Sequence, residues 1–180
     1  MTVKTIPLSI SKITRHLENG HSDTLKQATH IQELLTKLRY EGRASFGRNV
    51  KEIRHAFIFF NLELSHHIQI EEDVIFPFLK IHIPKLESVI HLLEAEHADF
   101  GENLESFELS LKLLAKESAD LNRGSLVEKI RQLGTYLIYL LTSHARAENQ
   151  SVYQVLMKEL KPQEKKELAE KLISRLKTSP

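Results

Sequence analysis

Apolar residues recur every three or four positions along most of the chain, the spacing that lines one face of an α-helix. The first stripe is Ile10, Ile13, Leu17, Leu25, Ala28, Ile31, Leu35 and Leu38, and predicts a helix from about Ser9 to Glu41. Gly42 to Gly47 reads as a loop. A second helix is predicted from about Asn49 to Lys80, with Ile53, Phe57, Phe60, Leu64, Val74 and Phe78 facing inward. Pro77 and Pro84 bracket the turn after it. The third, about Lys85 to Glu117, carries Ile90, Leu93, Phe100, Leu104, Phe107, Leu111 and Leu114, and Asn122-Arg123-Gly124 breaks it. The fourth, about Ser125 to Leu160, carries Leu126, Ile130, Leu133, Leu137, Leu140, Val152 and Val155. Pro162 then opens a short tail helix with Leu168, Leu172 and Leu176 on one side. No useful stretch alternates with period two, so no strand is predicted. The pattern is that of an all-α protein: an antiparallel up-down four-helix bundle over residues 1–160, built from two hairpins at about 9–80 and 85–160, followed by a short fifth helix and tail at 161–180.

Six polar residues interrupt the four long stripes: His21, His67, Glu71, His97, His144 and Glu148. A buried carboxylate left unpaired costs several kcal/mol, so two of them beside four histidines make sense around cations. Both glutamates follow a histidine by four residues, in H-I-Q-I-E and H-A-R-A-E, which puts each pair on one helical face. A lone His-x-x-x-Glu is weak, because roughly one is expected by chance in a chain of this composition. An internal repeat makes the pair informative. G-R-N-V-K-E-I-R from Gly47 recurs as G-S-L-V-E-K-I-R from Gly124, and the same offset of 77 carries His67 onto His144 and Glu71 onto Glu148. L-E-N-G-H, ending at His21, and L-E-A-E-H, ending at His97, are 76 apart. Counted from the expected lower turns, the four histidines lie 18 to 20 residues up their helices. That places them in one layer, roughly 30 Å above those turns at about 1.5 Å per residue.

Composition narrows the partners. The formal net charge is +1 with no basic run, so nucleic acid is not an expected partner. The longest apolar runs, Phe57–Phe60 and Tyr136–Leu141, are too short to span a bilayer, and the first residues have no signal-peptide core. Cysteine is absent, which removes disulfides, iron–sulfur ligation and a thiol nucleophile. The expectation is a cytoplasmic protein without a membrane partner.

Rival readings exist for individual residues. His30, off the first stripe, competes with His21 as the helix-one candidate. His66 points away from its neighbour His67, and His16, His55, His82 and His91 fall off the layer. A ferritin-like carboxylate site needs Glu-x-x-His on two helices and a Glu on each of the others. The strings at Glu52, Glu63 and Glu94 match in part, but the fourth helix has none and the first has no Glu at the right level, so that reading fails.

Around these residues the chain resembles the hemerythrin-like, or HHE cation-binding, family. H-H-I-Q-I-E-E-D-V-I-F-P (His66 to Pro77) is similar to that family's second-helix signature. E-A-E-H-A-D-F-G-E-N-L-E (Glu94 to Glu105) and H-A-R-A-E-N-Q-S-V-Y (His144 to Tyr153) resemble the di-iron domain of repair-of-iron-centres proteins. The resemblance implies two non-haem irons: His21 and His67 on one, His97 and His144 on the other, Glu71 and Glu148 bridging, with an oxo or hydroxo bridge between the metals. Oxygen carriers of the family have a fifth histidine where this chain has Leu93. The second half also departs from the Phe-Pro ending, with Tyr153-Gln154 instead. In the repair subfamily, acidic residues matching Glu63 and Glu96 line a channel to the metals, which implies a channel or proton-relay role for them here. In the repeat, Glu63 aligns with Leu140 and Glu96 with Gly20, so neither acid is required by the symmetry.

Two functions fit such a centre. One is redox chemistry on NO or peroxide, as a di-iron NO reductase, a peroxidase-type enzyme or a factor in iron-centre repair under stress. The other is a carrier or sensor that binds O2 or NO without turnover. The expected partner is a small diatomic or peroxide (O2, NO or H2O2), and the sequence identifies no electron donor.

Overall fold

The computed structural model describes residues 10–40, 43–116 and 120–178, and all regular structure among them is helical. The side chains of Ile10, Ile13, His16 and Leu17 lie outside the described residues, as do Ser9, Glu41, Gly42 and Glu117. Helix α1 is Ile10–Tyr40 and α2 is Arg43–Ile70, continued by a π-helical turn at Glu71–Ile75 and by α3, Phe76–His82. A single 3-10 turn, Pro84–Leu86, leads into α4, Glu87–Lys116. Helix α5 is Asp120–Glu148, continued by a second π turn at Asn149–Tyr153 and by α6, Gln154–Glu159. Helix α7 is Pro162–Thr178.

Four rods thus pack in a ring: α1 on α2 and α5, and α4 on α5 and α2. The stripes that predicted these rods supply the core. Ile53, Phe57, Phe60, Ile90, Leu93, Phe100, Phe107 and Ile130 are all at most 2% exposed. Helix α7 lies across one end, against α1 and the first π turn. It buries Leu168 and Leu172, whereas Leu176 is 41% exposed because the surface it would cover ends one turn earlier.

Two sequence-based boundaries are corrected. The expected loop at Gly42–Gly47 is helical from Arg43, and Asn122-Arg123-Gly124 lies inside α5 rather than between helices. An interior glycine costs only about 1 kcal/mol relative to alanine. That is too little to stop a helix when Phe46, Val50, Leu126 and Val127 pack on the core on either side. Pro77 lies inside the second rod, which runs through α3 to His82, close to the expected end near Lys80. Its missing N–H falls at the π-to-α junction, where the backbone ladder is already changing partners.

The apolar interior is two clusters. One, at the α7 end, includes Ile75, Phe76, Leu79, Leu93, Val152, Leu156 and Leu168. The other, on the far side, includes Leu35, Phe57, Leu64, Phe100, Leu104, Leu137 and Leu141. Along α2 the change falls between Leu64 and Ile70, on α4 between Leu93 and Phe100, and on α5 after Leu141. The residues in those gaps are the polar ones.

Candidate metal centre

His21 comes from α1, His67 from the end of α2, His97 from α4 and His144 from α5. Glu71 opens the first π turn and Glu148 closes α5 directly before the second. All six are buried, and both glutamates are 0% exposed. The helical backbone sets each His–Glu pair one turn apart. The π turns then shift the register of the helices beyond them. The first closes with Phe76 N–H donating to Glu71 O, the second with Gln154 N–H donating to Asn149 O, each spanning five residues. One extra residue per turn rotates the buried face, so Ile75 and Leu79 go inward after Glu71, and Val152, Tyr153 and Leu156 after Glu148.

The six side chains form two groups whose ligand-type atoms all lie within 4.8 Å of one another: His21, His67, Glu71 and Glu148 in one, Glu71, His97 and His144 in the other. Glu71 belongs to both. Its Oε1 is 2.8 Å from His67 Nε2 and its Oε2 is 3.4 Å from His97 Nε2. Glu148 Oε2 is 2.9 Å from His21 Nε2 and 3.8 Å from His144 Nε2. His97 Nε2 and His144 Nε2 face each other at 3.3 Å.

Apart from the His97–His144 pair, these contacts are not hydrogen bonds. His21 Nδ1 and Nε2, His67 Nε2, Glu71 Oε2 and both Glu148 oxygens are buried with no hydrogen-bond partner in the protein. Their neighbours are close enough, but off the axis along which an N–H donates. Nitrogen and oxygen ligands about 2.0–2.2 Å from one ion lie about 3 Å from each other, which is the spacing seen. Imidazole and carboxylate donors, converging on shared points and unsatisfied by the protein, fit metal ions.

The electrostatics agree. Burial opposes charge on His67, but Glu71 and Glu148 outweigh it and push its pKa up to about 10. Burial likewise opposes ionisation of Glu71, yet His67 and His97 hold its carboxyl well below the usual range. His97 is lowered by burial and raised by more through Glu71 and Glu72, whereas burial prevails at His144 and lowers it. The carboxylates that favour positive charge on His67 and His97 would favour cations in the same place.

Outside this cluster, His97 Nδ1 pairs with Glu72 at 2.9 Å and His144 Nδ1 with Glu96 at 2.8 Å. Tyr153, 1% exposed, donates its hydroxyl to Glu71 Oε1 at 2.6 Å. Burial and the carboxylates of Glu148 and Glu71 raise the phenol well above its ordinary pKa, so it keeps its proton. Sequence reasoning assigned no role to Glu72 or Tyr153. Glu72 adjoins Glu71 in the E-E-D run, and Tyr153 is the repeat partner of Phe76, which were the available signals.

Glu63 is exposed and lines a cavity of about 230 Å³ between α1 and α2, together with Gly20, Asp23, Thr24, His66 and His67. Glu96 is not among the residues lining that cavity; its carboxylate is engaged by His144. His30 lies on the surface, 53% exposed at its side chain and 3.8 Å from Glu33, while His21 is inside. Leu93, one turn before His97, is fully buried.

Comparison with curated proteins and with solved structures returned no significant match. A family model does match: the hemerythrin HHE cation binding domain, over residues 12–124. That span holds His21, His67, Glu71 and His97, while His144 and Glu148 lie beyond it and join the group by geometry. Because the match covers more than half of the chain, and its histidines and glutamates come together in groups able to hold a metal, the protein belongs to the hemerythrin HHE cation-binding family.

Proposed function

We propose that the protein holds two irons and acts under stress, in redox chemistry on NO or peroxide or in iron-centre repair. The observation that carries this reading is the pair of buried donor groups sharing Glu71, with six donor atoms that no protein group satisfies. His21 and His67 would hold one metal and His97 and His144 the other, with Glu71 and Glu148 spanning both and an oxo or hydroxo group completing the bridge. Imidazole and carboxylate ligands suit iron. When bound in its reduced state, iron supplies electrons and open coordination positions to a diatomic or peroxide ligand.

The chain's own residues define the rest. Leu93 offers no donor atom at the place where the family's carriers have a fifth histidine, so four histidines and two glutamates would leave an open position on both metals. The two apolar clusters exclude water from above and below the polar layer. Glu63 lines the cavity that reaches His67, where its carboxylate is placed to relay protons inward. Electrons come from an external donor.

The test is anaerobic reduction of the iron-loaded protein, followed by O2 and, separately, NO. Expected are rapid conversion to the diferric state with O2 and release of N2O with NO. Reversible O2 uptake without net consumption would overturn turnover in favour of a carrier. Glu63→Leu, which restores the repeat symmetry with Leu140, is expected to keep the fold and both irons while slowing these reactions. Unchanged rates would remove Glu63 from the mechanism.

A further inference from the structure

The two halves of the repeat are nearly the same around the site, and they differ in what stands behind the ligands. Phe76 and Tyr153 occupy equivalent positions, 77 residues apart. Both are buried, and each stacks on an imidazole: Phe76 on His97 with centroids 5.6 Å apart, Tyr153 on His21 at 6.2 Å. The rings serve the same packing purpose. Tyr153 adds a single hydroxyl, whose one proton goes to Glu71 Oε1 at 2.6 Å. That oxygen is the one facing His67; the other faces His97.

The imidazoles are unequal in the opposite sense. His97 and His144 each have a carboxylate on Nδ1, from Glu72 at 2.9 Å and Glu96 at 2.8 Å. A carboxylate there fixes the tautomer and makes the other ring nitrogen a stronger donor. Among the described residues, no carboxylate pairs with Nδ1 of the other two. His21 Nδ1 is buried without a hydrogen-bond partner, and His67 lines the cavity.

Both differences push the same way. A hydrogen bond to Glu71 Oε1 draws electron density from the ligand on the His21/His67 side. Carboxylates behind His97 and His144 add electron density on theirs. We propose that Tyr153, Glu72 and Glu96 are positioning residues that make the two metal positions electronically unequal: the His97/His144 position favours the ferric ion, and the His21/His67 position, next to the cavity, favours the ferrous ion. The inference rests on the two-iron reading above.

The experiment is a redox titration of the iron-loaded protein, followed by EPR of the half-reduced state, in the wild type, Tyr153→Phe and Glu96→Gln. Phenylalanine already fills the equivalent place in the other half, so Tyr153→Phe keeps the ring packing. Glu96 is partly exposed, so Glu96→Gln tests the same proposal should the first variant fold poorly. The wild type is expected to take up its electrons in two resolved steps. In Tyr153→Phe the upper step falls and in Glu96→Gln the lower step rises, each lowering the stability constant of the half-reduced state about tenfold, or about 59 mV of separation. Both variants are expected to keep two irons. Wild-type potentials in both loaded variants would overturn the proposal. So would a phenolate-to-ferric absorption band lost in Tyr153→Phe, since Tyr153 would then be a ligand. A wild-type protein that binds no iron would overturn the two-iron reading itself, a result distinguishable from either.

Discussion

Glu71 and Glu148 are fully buried carboxylates in an otherwise apolar bundle, and such groups persist only where something compensates their charge. Here four imidazoles converge on them, and six of the buried nitrogen and oxygen atoms are left without a hydrogen-bond partner. Replacing both glutamates with alanine is therefore expected to reduce bound metal well below two ions per chain, measured by elemental analysis after loading. The thermal stabilisation on loading is expected to shrink with it, because binding free energy is coupled to folding. Two ions retained in the double variant would contradict the assignment. His30→Ala serves as the control: an exposed residue outside the cluster is expected to leave metal content unchanged, whereas His21→Ala lowers it. The ligand candidates were legible because they break apolar stripes at repeated positions. Tyr153 and Glu72 were not, because a tyrosine on an inward face and one acid in an acidic run look like ordinary packing and ordinary surface.

At the scale of elements, the π turns and α7 carry the most consequence. The π turns begin at Glu71 and directly after Glu148 and rotate the chain by about one residue, which brings Phe76 and Tyr153 onto the imidazoles. Helix periodicity alone kept the stripe running through Val74 and Phe78 and so gave no place to Ile75 or Leu79. Helix α7 closes the end of the bundle nearest these turns. Leu168 is 0% exposed within the same apolar cluster as Phe76 and Tyr153. Leu168→Ala is expected to cost about 2–5 kcal/mol in denaturant unfolding, the usual range for a buried leucine truncated to alanine. The start of α7 is expected to depend on pH. The Lys161 backbone N–H donates to Glu164 at 2.7 Å and holds its carboxyl below the ordinary 4.5. A pKa depressed by folding contributes stability that is present above about pH 4.5 and lost as pH falls through the lower folded value. Glu164→Gln is expected to make α7 less sensitive to acid below that point, read by amide hydrogen exchange of its first turns across a pH series. An acid response identical to wild type would show that the cap carries no such dependence.

For the whole molecule, the polar layer divides the core in two, so the halves meet across groups that bury charge rather than apolar surface. Metal binding to the folded state alone stabilises it by mass action, about 4 kcal/mol at a thousand times the dissociation constant. Stripping the metal with a chelator is expected to lower the melting temperature and to accelerate exchange most around His21, His67, His97 and His144. A melting temperature unmoved by chelation and reloading would show that the layer is stable without ions. No helix among the described residues is long and apolar enough to cross a membrane.

The sequence by itself determined the class of fold, the inward faces of four helices and the six polar residues that interrupt them. Those properties follow from helical periodicity and from the cost of burying charge, both of which act along a single helix. Tertiary structure decided the rest. Helices run through Gly47 and Gly124 because packing on neighbouring rods outweighs a glycine's small penalty. Which oxygen of Glu71 faces which histidine, and which ligands have a carboxylate or phenol behind them, depends on side chains up to 82 residues apart in the chain. No local pattern encodes those pairings. They exist only once the two hairpins close on each other and the buried groups must find partners across the gap.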